Sequence, residues 1–187
     1  MTKDKYIYWK LDLVIILEFL MIFIFKTYHQ VFNIEIITIL SISYLVFSIG
    51  IFISPKISFI GYLLGLFTIL FYREQIENNY TNSDYINLWI KNLFSNKIIF
   101  INVFGNIILY IPFVYYLNLF SKNILFSIIL VFNFIVIGEY VQYLLKIGVF
   151  DLVDIVINTL GVLIYVLIYE VLIWMKKIKK KKLIKIN

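Results

Sequence analysis

The chain contains no cysteine, and that single absence removes disulfides, zinc–thiolate sites and thiol nucleophiles together. It has one histidine, His29, in a loop beside Tyr28 and Gln30, where a lone imidazole reads as a surface residue rather than a catalyst or ligand. Arginine also occurs once, at Arg73. Charged residues make up 15% of the 187, against about 25% in ordinary soluble domains, so no charged surface exists to keep this chain in water. With only two prolines, few helix breakers interrupt the apolar runs. No spacing of His, Cys, Asp and Glu suits a metal, and no cofactor is expected.

What remains is 63% hydrophobic with a mean hydropathy of +0.95. About 20 consecutive apolar residues cross a bilayer as a helix, and such runs recur here. The expected fold is all-α, a polytopic membrane helix bundle with about six transmembrane helices. Their expected ranges are 11–25, 34–53, 57–72, 98–120, 124–146 and 153–174. The lysine-rich start ahead of the first run resembles a secretory signal, but no small-residue cleavage site follows, so it reads as a retained span. Three parts are expected: residues 1–72 with three spans, 73–175 with an outer loop and three more, and a basic tail over 176–187.

The net charge of +6 does not imply nucleic acid. Seven of the seventeen basic residues lie between Lys176 and Lys185, directly after an apolar helix that ends at Trp174. Lysines so placed mark the cytoplasmic side and touch anionic lipid. With six spans, the side holding both termini carries twelve Lys and Arg residues, and the other side carries five. The bias places both termini in the cytoplasm. The loop from Arg73 to Lys97 and the turn from Lys146 to Leu152 then face outward.

Against this background, residues 138–161 stand out: Glu139, Gln142, Lys146, Asp151, Asp154 and Asn158 fall within one span end, one turn and one span start. Polar groups at membrane depth are unfavourable unless they meet one another, which makes them default candidates for function. Glu139 and Gln142 are three apart on one helix face, Asp154 and Asn158 four apart on another, and Asn102 and Asn106 four apart on a third. By helical rise all lie within about 12 Å of the outer end of their spans. Arg73 stands at the outer end of the third span, either as a bidentate grip on phosphate or carboxylate or as a snorkelling helix-end cation.

Blander roles compete with function. Asp151 sits where a helix starts, a position that favours carboxylates through capping and the helix dipole. Asparagines glue membrane helices together. Gly61 and Gly65 form a small-xxx-small pair that reads as close helix packing, and Glu18 in the first span reads as a carboxyl facing other helices. Glu139 is explained poorly by such roles. About 10 Å inside its helix end, it needs a partner or takes up a proton, so Glu139 with Asp154 is the candidate acid–base pair. Two carboxylates and two amides are a sparse shell for a hard cation, and no metal is expected.

At these residues the chain resembles the VanZ-like family of bacterial membrane proteins. The resemblance rests on NVFGNIILYIPF, with Asn102, Asn106, Pro112 and Phe113, on the Glu139-x-x-Gln142 pair, and on Asp154-x-x-x-Asn158-Thr159-x-Gly161. It departs at Val114, where family members often have glycine, and at Val153, where many have a second acid. The resemblance implies a link to low-level resistance against teicoplanin, a lipoglycopeptide that acts at the outer membrane face on lipid-linked cell-wall precursor. Two functions follow as expectations. One is a non-enzymatic envelope protein whose outer pocket, built on Arg73, Asn102, Asn106, Gln142 and Asn158, binds a lipoglycopeptide, a lipid head group or a lipid-linked precursor. The other is a small membrane enzyme acting on a lipid-linked or polyprenyl substrate through Glu139 and Asp154. A transporter would need a polar path through the inner half, and only Glu18 and Asn133 offer one.

Overall fold

The computed structural model describes residues 34–71, 97–148 and 150–184. The expected first span with Glu18, His29, Arg73 and most of the polar loop lie outside the described residues. Every described element is an α-helix: α1 (Ile34–Ile53), α2 (Pro55–Phe71), α3 (Lys97–Leu109), α4 (Ile111–Ser121), α5 (Ile124–Leu144) and α6 (Leu152–Ile184). Four stretches are long and apolar enough to cross a membrane: Ile34–Ile53, Asn102–Ser121, Ile124–Leu144 and Leu152–Met175. Their outer faces carry Leu, Ile and Phe side chains that are more than a third exposed, as a lipid-facing surface requires. The helices fall into two compact units that divide at residue 73.

The first unit contains the α1–α2 hairpin. Pro55 opens α2, the position where its missing N–H is harmless. The two helices touch through backbone. A side chain on Gly61 would run into the Phe47 amide, with Phe47 Cα at 2.8 Å and Ser43 O at 2.9 Å, while one on Gly50 would meet the Ser58 backbone. Of the expected small-residue pair, Gly61 makes the tight contact, and Gly65 has only Ser43 Cβ nearby, at 3.6 Å. Two hydroxyls buried here turn back on their own helices, Ser43 Oγ to Ile39 O at 2.7 Å and Thr68 Oγ1 to Leu64 O at 2.8 Å. That is how a hydroxyl survives where no water reaches it.

In the second unit, α6 packs against α3, α4 and α5. The sequence suggests one helix over 98–120 bent by Pro112, whereas the structure breaks it in two at Tyr110. Pro112 sits in the first turn of α4, where its lack of an N–H leaves no gap in the new helix. Tyr110 is buried at the break, with Val114, Val131, Ile135 and Val162 around it in the same core. Phe134 meets Phe113 edge-on at 4.9 Å and 88°. The α4–α5 corner is capped by Asn123, whose Oδ1 accepts from the Phe126 N–H at 3.1 Å. The lysine-rich stretch continues α6 as helix to Ile184 rather than starting a separate segment.

One close approach sets the position of α3. A Cβ on Gly161 would collide with the Ile107 carbonyl oxygen and lie 2.9 Å from its carbon, so α6 meets the α3 backbone with no side chain between them. Gly161→Ala is therefore expected to destabilise the unit by about 1–3 kcal/mol through overpacking. Gly105→Ala has nothing within 4 Å and is expected to be neutral or to stabilise by up to about 1 kcal/mol through helix propensity. Thermal unfolding of the two variants in one detergent measures both.

Candidate polar site at the α3, α5 and α6 ends

The contact at Gly161 has a chemical result two turns earlier on α6. With α3 and α6 running side by side at backbone distance, Asn106 Nδ2 donates to Asp154 Oδ1 at 3.0 Å. An interhelical bond of this kind stabilises a membrane bundle by about 0.6–2 kcal/mol. It leaves the Asn106–Asp154 pair half-buried, between a helix start and a neighbouring helix. Asn102, one turn earlier on α3, is exposed and does not share the burial of Asn106.

Asp154 has a different local setting from Asp151. Asp151 precedes α6, and its Oδ1 accepts from the Val153 N–H at 2.8 Å, the capping role its position suggests. Asp154 lies in the first turn and directs an oxygen to another helix. One acid closes the helix end; the other joins two helices.

The end of α5 is shaped by its turn. Lys146 takes a left-handed conformation (φ 57°), its N–H donates to Tyr143 O at 3.1 Å, and the Ile147 N–H donates to Gln142 O at 3.0 Å. This paired closure satisfies carbonyls that a helix end leaves open and folds the chain back over the last turn. Gly148 then lies against Gln142, where a Cβ would stand 3.2 Å from Gln142 Cβ. Gln142 is consequently 2% exposed and Glu139, one turn deeper, 5%. Asn158 on α6 is 2% exposed, and its Oδ1 has no hydrogen-bond partner. Lys146 itself is exposed.

The structure thus buries Glu139, Gln142 and Asn158 near the end of α5 and the start of α6, and joins Asn106, in the last turn of α3, to Asp154. Among the described residues, no group of three or more His, Cys, Asp or Glu could hold a metal.

A sequence profile described as VanZ/LLP1 matches residues 59–174. The chain belongs to the VanZ/LLP1 family. The match begins in α2, ahead of the blocks that carry the resemblance, and ends near the close of the apolar part of α6. No curated protein and no solved structure matches. All three VanZ-like sequence blocks fall inside the match. Asn106 and Asp154 of two blocks form the interhelical bond, and Gly161 closing the third block makes the backbone contact that permits it.

A polar contact between the same segments went unread in the sequence. Asn118 Nδ2 of α4 donates to the Tyr165 hydroxyl of α6 at 3.1 Å, and both residues are buried. Its signal was the stripe of α6 that starts at Asp154: Asn158, Gly161 and Tyr165 continue it at helical spacing. Asn133, midway along α5, is instead exposed and bonds its own helix at Ile129 O, 2.9 Å away.

A double-mutant cycle on Asn106→Ala and Asp154→Ala is expected to give a coupling energy of about 1 kcal/mol in thermal or denaturant unfolding. Asn102→Ala with Asp154→Ala is expected to give none.

Proposed function

We propose that this chain is a six-span protein of the bacterial cytoplasmic membrane with both termini in the cytoplasm. A polar pocket at the outer ends of α5 and α6, reached by Asn106 from α3, binds the polar part of an amphiphilic envelope molecule. By doing so it lowers the access of lipoglycopeptides such as teicoplanin to their target, without catalysis. The reading is carried by the burial of Glu139, Gln142 and Asn158 at the end where Asn106 and Asp154 bridge two helices. Side chains that served only to hold helices together would be matched to one another, and the oxygen of Asn158 is not. Family membership supports the envelope setting, and the lysine bias supports the outward sidedness of the cluster.

The depth of Glu139 favours a second reading, a membrane enzyme acting on a lipid-linked or polyprenyl substrate. Glu139 would serve as acid or base and Asp154 as its partner. The two readings separate in one experiment. Wild type and Glu139→Gln are expressed in a susceptible host, teicoplanin and vancomycin susceptibilities are compared, and lipid-linked precursors are profiled by mass. The expected result is a fall in teicoplanin susceptibility with wild type, lost in Glu139→Gln, with unchanged precursors. Precursors altered in a Glu139-dependent way select the enzyme, and no effect on either readout with expression intact rejects both.

Sidedness has its own test, made clean by the absence of native cysteine. In intact cells, a membrane-impermeant maleimide is expected to label Leu145→Cys in the exposed turn after α5 and not Asn187→Cys. The reverse pattern would put the polar cluster on the cytoplasmic side.

A further inference from the structure

Asn133 lies midway along α5, roughly 14–17 Å from its two ends by helical rise. In a hydrocarbon core about 30 Å thick, that is near the middle of the membrane. The side chain is exposed on the unit's surface, and Nδ2 gives one proton to Ile129 O at 2.9 Å. A primary amide carries two N–H protons and an accepting oxygen. The Ile129 bond therefore leaves one N–H and Oδ1 to be met from outside the helix. Lipid tails offer neither donor nor acceptor at this depth, and a polar group there is unfavourable until one is found.

The rest of that face has a regular spacing. Phe126, Leu130, Asn133, Ile137, Tyr140 and Leu144 are all exposed and follow one another at alternating steps of four and three. Such a stripe has the form of a coiled-coil seam with one amide at its centre. The buried stripe of the same helix, with Val131, Ile135, Gly138 and Gln142, lies on the opposite side, where α5 packs on α4 and α6. Steps of four and three suit any helix face, and the apolar members of the stripe suit lipid as well as protein. Asn133 decides between the two, because lipid leaves its amide unmet.

The occupant must present a donor and an acceptor at the same depth. A second copy does so by construction. All copies insert with one orientation, so a two-fold axis along the membrane normal sets residue 133 against residue 133. The amide is its own complement, each N–H meeting the other copy's Oδ1. A single polar residue in a seam also fixes register and the number of helices that join.

We infer that the chain forms a parallel homodimer along this face of α5, held by a reciprocal hydrogen-bonded pair of Asn133 amides. Gln142 and Glu139 belong to the buried side of α5, so the inference stands apart from the pocket reading.

Single-cysteine variants of the full chain, which has no cysteine of its own, are oxidised in the membranes of expressing cells. Leu130→Cys and Ile137→Cys, either side of Asn133, are expected to give a disulfide-linked dimer, and Leu163→Cys, likewise exposed but on α6, to give none. Sedimentation equilibrium in one mild detergent then measures the dimer constant. Asn133→Leu is expected to weaken dimerisation about tenfold while the diluted monomer keeps its Tm. Asn133→Gln, which keeps donor and acceptor, is expected to retain most of the affinity. If the leucine variant does not fold, Asn133→Ala makes the same comparison. Three results overturn the inference. One is no linked dimer at either position, as a segment of the same chain lying on the stripe would give. Another is an adduct with a different protein in place of a second copy. The third is a dimer as tight in Asn133→Leu as in wild type.

Discussion

A polar side chain inside a membrane has no water to turn to, and this constraint organises the described part of the molecule. A hydroxyl or amide in the helices is satisfied only where it finds a partner in the protein or faces outward where the membrane ends, and among the described residues Ser48 Oγ and Asn158 Oδ1 are buried without a hydrogen-bond partner. Ser41, Ser43, Thr68 and Thr159 find theirs locally, on the carbonyl one turn back. Amides and carboxylates cannot always do so, and their partners lie on other helices. The Asn106–Asp154 bond, linking residues 48 positions apart, is the clearest instance. It exists because Gly161 lets the backbones of α3 and α6 touch. Small residue, close approach and interhelical bond form one causal chain.

The same constraint separates residues that look alike in the sequence. Asp151 and Asp154 are three positions apart, yet one caps its own helix and the other reaches across to a neighbour. Asn102 and Asn106 share a face by spacing, but only the second turns away from the surface. Asn133 looks suited to a buried polar path and instead lies exposed, bonded to its own helix. Spacing tells which residues share a face. Burial of that face is decided by the packing partner.

Much of the architecture was legible from the chain itself. The expected spans 34–53 and 124–146 became the helices Ile34–Ile53 and Ile124–Leu144, because few prolines and few charges interrupt them. The helix break at Tyr110 was less legible. Pro112 announces a disturbance, but a bend and a full interruption differ only in how the backbone before it packs, and Tyr110 is held by a core drawn from three helices. The polar layer could be placed in depth from helical rise alone. Which oxygen meets which nitrogen could not, since that depends on the rotation of each helix. The Asn118–Tyr165 pair was only half legible for a related reason: Tyr165 continues the α6 stripe from Asp154, but no local repeat links it to Asn118.

Together, Asn106–Asp154 and Asn118–Tyr165 act as two pegs along one seam. They are twelve residues apart on the α3–α4 side and eleven on α6, and the extra residue falls on the side interrupted at Tyr110. Sliding α6 by one turn would displace it about 5.4 Å and unseat both pegs at once. The seam thus admits a single alignment, and the axial position of the whole polar cluster is inherited from it.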